Sequence, residues 1–188
     1  PGGIRCDNLR HNGFPLDLFS GQVVDKYWRE IIEIKYIADG PTPRSYWIIP
    51  DLLAAGAYPG KQGSGTKNVI PQVLEQLLES GINTFINLTE DLGGGDKLEL
   101  YDPFLPSSCI VDRFPVKDVN IPTNEFMVKI LDAIDAYLEV GHVPYIHCWG
   151  GIGRTGTAVG CWLIRNGPAT PATVNDLLDG LRLGAVSF

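Results

Sequence analysis

The stretch from Tyr145 to Thr157, YIHCWGGIGRTGT, decides how the rest of the chain is understood. An apolar run ends at Ile146, a loop with three glycines follows, and apolar residues at helical spacing begin at Ala158. This order predicts a strand, a turn and the N-terminus of a helix. The backbone N–H groups of such a loop and the positive end of the helix dipole face one concavity, which suits a dianion such as phosphate.

Two side chains give this predicted loop its chemistry. Cys148 stands at the start of the loop, where the field of a helix N-terminus favours the nucleophilic thiolate form of a cysteine. Arg154 ends the loop and carries a planar guanidinium that matches two phosphate oxygens. The alternative is a buried structural cysteine beside an ordinary turn, but such a turn requires neither His-Cys before the glycines nor Arg-Thr after them. The pattern therefore predicts a nucleophile, an anion cradle and a clamp in one loop.

The stretch resembles the Cys-x5-Arg-Thr signature of the protein tyrosine phosphatase superfamily. Its longer form, His-Cys-x-x-Gly-x-Gly-Arg-Thr-Gly, is similar to that of dual-specificity phosphatases of the kinase-associated type, and the resemblance extends from about Tyr46 to Leu183. It implies catalysis through a cysteinyl-phosphate, without a metal or other cofactor. It also implies that Thr155 stabilises the departing thiolate and that His147 orients the loop by hydrogen bonding. The implied phosphate-binding residues are Trp149, Gly150, Gly151, Ile152, Gly153 and Arg154.

Cleavage of a phosphate ester needs a proton donor for the departing oxygen, and this acid must come from outside the loop. We expect it to be Asp118, which follows a predicted strand and lies between Pro115 and Pro122, in a segment that can close over the site. The placement resembles the general-acid loop of the family, in which a proline precedes the aspartate by three residues. Asp112 is the rival, although it falls inside the strand, and a merely solvated loop aspartate is the other alternative.

The alternation of apolar segments predicts an α/β fold with a central, mostly parallel sheet and helices on both faces. The phosphatase fold itself is implied by the resemblance. Residues 1–45 are predicted to be an arm and lead-in segment, with the period of 23–37 mixed, and residues 46–188 the phosphatase domain. The connection 89–108 carries three glycines and two prolines and shows no period. The predicted strands are 46–49, 52–57, 82–88, 109–116 and 143–146, and the predicted helices are 70–80, 123–140, a segment ending near 166, and one opening at 170–171.

Composition narrows the class of function. The chain has 188 residues, of which 44% are hydrophobic and 20% charged, as expected for one globular domain. A formal net charge of −7 argues against nucleic acid and anionic membrane surfaces as partners. No stretch has the length of a membrane span, and no signal peptide is recognised. Because the four cysteines fit no zinc pattern and a catalytic thiolate needs reducing conditions, we expect a cytoplasmic protein.

The expected activity is hydrolysis of phosphotyrosine, with phosphoserine and phosphothreonine, in a phosphorylated protein or peptide. One alternative is a phosphoinositide or small phosphate ester as substrate. Enzymes that act on phosphoinositides carry lysines in this loop, whereas WGGIG has no charge before Arg154. Lys117, Lys61 or Lys67 would supply charge if they lay near the loop. The other alternative is a non-catalytic phosphate-binding module, although the nucleophile, the clamp and the acid are all present.

Three further residues have two interpretations each. Cys161 lies on the helix that leaves the loop and is either a resolving thiol for oxidised Cys148 or an inert core residue, the commoner case. Glu90 and Asp91 follow a predicted strand and either rim the substrate cleft or are solvated loop charges.

Overall fold

The structure, a computed structural model, describes residues 40–61, 70–90 and 99–183. Residues 1–39 of the predicted arm and lead-in segment, which include the segment 23–37, lie outside these ranges, as do Lys67 and Asp91. The division between residues 1–45 and 46–188 therefore stays a prediction.

Five strands form one sheet in the order β1-β2-β5-β3-β4. β1 and β2 are antiparallel, whereas β2 with β5, β5 with β3, and β3 with β4 are parallel. The mostly parallel sheet predicted from the sequence is confirmed, although the second, third and fourth strands are shorter than predicted. The strands are β1 (Ser45–Ile49), β2 (Leu53–Gly56), β3 (Thr84–Asn87), β4 (Ile110–Arg113) and β5 (Pro144–His147).

Four α-helices and one short 3₁₀ helix surround the sheet in the described ranges. The N-cap at Thr123 is confirmed, because its side chain accepts a hydrogen bond from the Phe126 N–H at 3.2 Å. None of the helices in these ranges is long and apolar enough to cross a bilayer. The α-helices are α1 (Ile70–Glu79), α2 (Asn124–Glu139), α3 (Gly153–Asn166) and α4 (Val174–Arg182), and the 3₁₀ helix is Asp102–Phe104.

Alternate residues of the central strands point to opposite faces of the sheet, and each face has its own core. Tyr145 and Phe85 pack on the side of α1, with Leu74 and Leu77. On the other side, Ile146 and Ile86 pack with apolar residues of α2, α3 and α4. Helices therefore cover both faces, as predicted. Since β5 lies in the middle of the sheet, both cores hold the strand that leads into the glycine loop.

Candidate active site

The segment Cys148–Arg154, here called the cysteine loop, leaves the carboxyl end of β5 and runs into α3. Two backbone hydrogen bonds fix its start, from the Leu88 N–H to the His147 carbonyl at 2.8 Å and from the Tyr58 N–H to the Trp149 carbonyl at 3.1 Å. The loop therefore lies at the edge where parallel α/β sheets bind ligands.

Gly151 lets this loop pack against β2. Its φ angle is 77°, in the left-handed region that favours glycine. A Cβ atom at this position would lie 2.4 Å from the backbone carbon of Gly56, closer than any real contact. A side chain here would displace the loop.

Cys148 is 3% exposed, so its sulfur lies almost entirely within the loop. The Gly151 N–H donates to the Cys148 Sγ atom at 3.3 Å. Helix α3 begins at Gly153, so the loop also lies at a helix N-terminus. A backbone donor and a helix dipole thus favour negative charge at the sulfur, which is the arrangement expected for a thiolate nucleophile.

Arg154 is buried and joins the cysteine loop to the segment after β4. One guanidinium nitrogen lies 2.8 Å from Asp118 Oδ1, and the other donates to the Val116 carbonyl at 3.1 Å. The structure therefore brings together the predicted clamp and the predicted acid. Asp112, the rival acid, lies in β4 and accepts a hydrogen bond from the Tyr137 hydroxyl at 3.1 Å.

The segment that carries Asp118 is otherwise exposed. The Asp118 side chain is 54% exposed, and its backbone N–H donates to Glu90 Oε2 at 3.2 Å. Val119 has a φ angle of 57° and is 96% exposed. Glu90 thus contacts the acid segment, which gives it a place at the rim of the site.

His147 is fully buried beneath the loop. Its Nε2 atom lies 2.8 Å from the Tyr101 hydroxyl. Burial lowers the pKa of His147 to about 3, and the positive charges of Arg113 and Arg154 act in the same direction. The imidazole is therefore neutral near pH 7, which suits an orienting role better than proton transfer.

Thr155 follows the clamp and is completely buried. In the part of the chain that the structure describes, Thr155 Oγ1 is a buried polar atom without a hydrogen-bond partner. Such atoms are uncommon in folded proteins and are found where a ligand or a reacting group completes the bonding.

The other predicted loop residues form its mouth. The Ile152 side chain is 47% exposed, and Trp149 is partly buried against Tyr58, with ring centroids 6.1 Å apart. Cys161 is buried within the core of α2, α3 and α4. Among the described residues, no three His, Cys, Asp or Glu side chains are grouped so that they could hold a metal ion.

Three further residues contact this site: Tyr101 and Arg182, which were not predicted, and Lys61, which was predicted only on the condition that it lay near the loop. Tyr101, in the connection 89–108, places its hydroxyl 2.8 Å from His147 Nε2. Arg182, at the end of α4, donates to the Ile152 carbonyl at 3.2 Å. Lys61 lies over Trp149, with Nζ 5.4 Å from the ring centroid. In the sequence, a basic residue in the last turn of an amphipathic helix is a weak signal for Arg182. No sequence pattern marks Tyr101.

Comparisons with known sequences match part of this chain. The family model for the DSP-PTPase phosphatases of polymorphic toxin systems matches residues 59–168. The mouse protein tyrosine phosphatase domain-containing protein 1 is 29% identical over an alignment of 103 residues. The match covers 50% of this chain and 14% of the mouse protein. The chain thus corresponds to a small part of that relative.

Solved structures share the fold. A kinase-associated phosphatase with serine in place of its catalytic cysteine has a TM-score of 0.60 and 25% identity, covering 72% of this chain and 79% of that one. TpbA of P. aeruginosa has a TM-score of 0.56 and 17% identity, covering 79% of this chain and 77% of that one.

The family model, which matches residues 59–168, spans more than half of this chain. The chain therefore belongs to the dual-specificity type of the protein tyrosine phosphatase superfamily.

Proposed function

We propose that this chain is a cysteine-dependent phosphatase that hydrolyses phosphate monoesters in proteins, phosphotyrosine first, with phosphoserine and phosphothreonine also accepted. The observation that carries the proposal is the cysteine loop itself. Its buried sulfur receives the Gly151 N–H, and Arg154 stands at its other end with Asp118 beside it. Nucleophile, anion clamp and acid thus meet at the carboxyl end of β5.

In the first step the Cys148 thiolate attacks phosphorus. A sulfur–phosphorus bond forms while the bond from phosphorus to the ester oxygen breaks. Arg154 and the N–H groups of residues 149–154 hold the equatorial oxygens, whose charge they stabilise. Asp118 gives its proton to the departing oxygen. Because Asp118 pairs with Arg154 in the structure, an arriving phosphate competes with the carboxylate for the guanidinium.

In the second step water attacks the cysteinyl-phosphate. Asp118, now ionised, accepts a proton from the water, the sulfur–phosphorus bond breaks and inorganic phosphate leaves. The Thr155 hydroxyl, buried without a hydrogen-bond partner among the described residues, stabilises the departing thiolate. Neutral His147 holds the loop by its contact with Tyr101 rather than moving protons.

The mouth of the site favours an aryl phosphate. Trp149 and the half-exposed Ile152 offer apolar surface beside the cradle, which suits a flat ring. TpbA, which shares the fold, has a crystal structure in complex with phosphotyrosine. We expect phosphorylated proteins as partners, in a reducing compartment such as the cytoplasm, because the mechanism needs a thiolate.

The matching family is one of polymorphic toxin systems, and we extend that role to this chain. On this view its phosphatase activity is what harms a target cell. Growth of cells that express the wild type would then be impaired, while growth with a Cys148→Ser variant would be normal. Equal impairment by both would contradict the role without touching the chemistry.

The chemistry is tested by hydrolysis in the presence of a metal chelator. Substrates are p-nitrophenyl phosphate, matched phosphotyrosine, phosphoserine and phosphothreonine peptides, and inositol phosphates. We expect the highest kcat/KM for aryl phosphates and phosphotyrosine, and severe impairment of Arg154→Lys, because a point charge does not replace a bidentate fork. Absence of turnover on every substrate, or a phosphoinositide preferred over phosphotyrosine, would contradict the proposal.

A further inference from the structure

Lys61 is tied to the cysteine loop through one intervening residue. Its backbone N–H donates to the Tyr58 carbonyl at 2.9 Å, and the Tyr58 N–H donates to the Trp149 carbonyl at 3.1 Å. Its ammonium nitrogen lies 5.4 Å from the centroid of the Trp149 ring, within the range of a cation–π contact. The backbone and the side chain of Lys61 are therefore both positioned by the loop.

The ammonium group stands at the edge of the phosphate cradle. A Cβ atom built on Gly150 would lie 3.7 Å from Lys61 Nζ, so the group is adjacent to the middle of the loop. Burial and the charge of Arg44 lower the pKa of Lys61, while the negative charge of Cys148 acts in the opposite direction. Lys61 therefore lies within electrostatic reach of both Arg44 and the nucleophile.

Within the described ranges, no carboxylate pairs with either cation, Lys61 or Arg44, although the protein is acidic as a whole. Two neighbouring like charges without a counter-charge disfavour each other, and a bound anion removes that cost. Because Lys61 Nζ lies beside the cradle, this anion would belong to the same molecule as the scissile phosphate.

We propose that Lys61 forms a second anion subsite that selects phosphotyrosine peptides with an acidic side chain two residues from the phosphotyrosine. This inference rests on the proposed function and names its substrate class. One cation at one side of the loop matches one additional anion, whereas a polyphosphate headgroup needs cations on several sides. Alternate side chains of an extended peptide point to the same face and lie about 7 Å apart, so the side chain two residues from the phosphotyrosine reaches the edge of the loop.

The test compares two phosphotyrosine peptides that differ only in whether the residue two positions from the phosphotyrosine is glutamate or glutamine. Binding is measured in the Cys148→Ser background and turnover in the active chain. We expect Lys61→Met to weaken binding and kcat/KM for the glutamate peptide about three- to tenfold, with less than about a twofold change for the glutamine peptide and p-nitrophenyl phosphate. Lys61→Arg should restore the preference.

Lys129→Met is the matched control, because Lys129 is an exposed lysine of α2 and its loss changes the net charge equally. An equal effect of Lys129→Met, or equal losses on both peptides, would overturn the subsite. So would a larger loss of affinity for an inositol polyphosphate than for the glutamate peptide. If the active chain hydrolyses nothing while Lys61→Met still weakens binding of the glutamate peptide, the proposed function fails and the subsite stands.

Discussion

At the scale of single residues, the Arg154 guanidinium has two competing partners. In the structure one of its nitrogens pairs with Asp118, whose side chain is half exposed. On the proposed mechanism, the substrate phosphate requires the same guanidinium N–H donors. An exposed carboxylate pairs with arginine only weakly, because water screens the charges. On the proposed mechanism, a dianion that the N–H groups of the loop also hold displaces the carboxylate, and this displacement frees Asp118 to act as the acid.

This competition separates two effects of an Asp118→Ala substitution. We expect kcat to fall by about 10²–10⁴ for substrates with poor leaving groups, the usual size of general-acid catalysis, and by less for p-nitrophenyl phosphate. Inhibition by inorganic phosphate should become about two- to fivefold tighter, because Arg154 loses its competitor. Steady-state kinetics with phosphate as inhibitor measures both.

Asp112→Ala is the matched control for that substitution. It removes a carboxylate from β4 that contacts Tyr137 rather than Arg154. We expect neither the leaving-group dependence nor tighter inhibition by phosphate. If Asp112→Ala shows both and Asp118→Ala shows neither, the acid has been assigned to the wrong aspartate.

At the scale of elements, the cysteine loop is held from three sides. β2 packs against Gly151, Tyr58 binds the Trp149 carbonyl, and Arg182 of α4 binds the Ile152 carbonyl. The Arg182 guanidinium also lies 5.6 Å from the Tyr46 ring, so α4 and β1 meet behind the loop. The helix farthest along the described chain therefore supports the geometry of the site through the Ile152 carbonyl.

Two glycines of the loop give a matched pair of substitutions. Gly151→Ala places a Cβ against β2 at a φ of 77°, so the loop must shift, and misplacement by about 1 Å lowers turnover by about 10²-fold. Gly153→Ala meets nothing within 4 Å and adds a good helix former at the first residue of α3. We expect kcat/KM to collapse in the first variant and to stay within about threefold in the second. Similar kinetics of the two would contradict the packing of the loop against β2.

At the scale of the whole molecule, a neutral histidine at the centre of the fold couples stability to pH. The pKa of His147 is about 3 in the folded chain, against 6.5 for an unperturbed histidine. Between these values the unfolded chain binds a proton that the folded chain does not. The free energy of unfolding therefore falls as the pH falls through this window, by up to about 1.4 kcal/mol per pH unit from this residue.

Chemical denaturation at about pH 7 and about pH 5.5 measures this dependence, and most carboxylates stay ionised in both buffers. We expect His147→Asn to be less stable than the wild type at pH 7 but to lose less stability on acidification. A wild-type slope in His147→Asn would mean that another group carries the proton.

The sequence predicted those parts of the molecule that depend on local patterns. The cysteine loop lies within the 13 consecutive residues 145–157 that carry its motif. The N-cap at Thr123 is predicted from the residues next to it, and the end of α3 at Asn166 is predicted from Gly167, which follows it. The contacts of Tyr101 with His147 and of Arg182 with Ile152 join residues 46 and 30 positions apart, and no period or spacing encodes them. They depend on how the sheet and helices pack, which only the fold reveals.

The same distinction applies to the charges around the site. The sequence placed Asp118 in a segment able to approach the loop, but its pairing with Arg154 required the structure. It also left the position of Lys61 open, and the structure resolves it because Tyr58 ties the lysine to Trp149. Loop geometry set by backbone hydrogen bonds decided both cases.

The most direct test of the central claim is to trap the covalent intermediate. The wild-type chain is mixed with p-nitrophenyl phosphate, quenched in acid within the first turnover, digested and analysed by mass spectrometry. We expect one phosphoryl group on the peptide that contains Cys148, a burst of p-nitrophenolate, and neither in Cys148→Ser. Turnover without a phosphorylated peptide, or a phosphoryl group on any residue other than Cys148, would contradict the account.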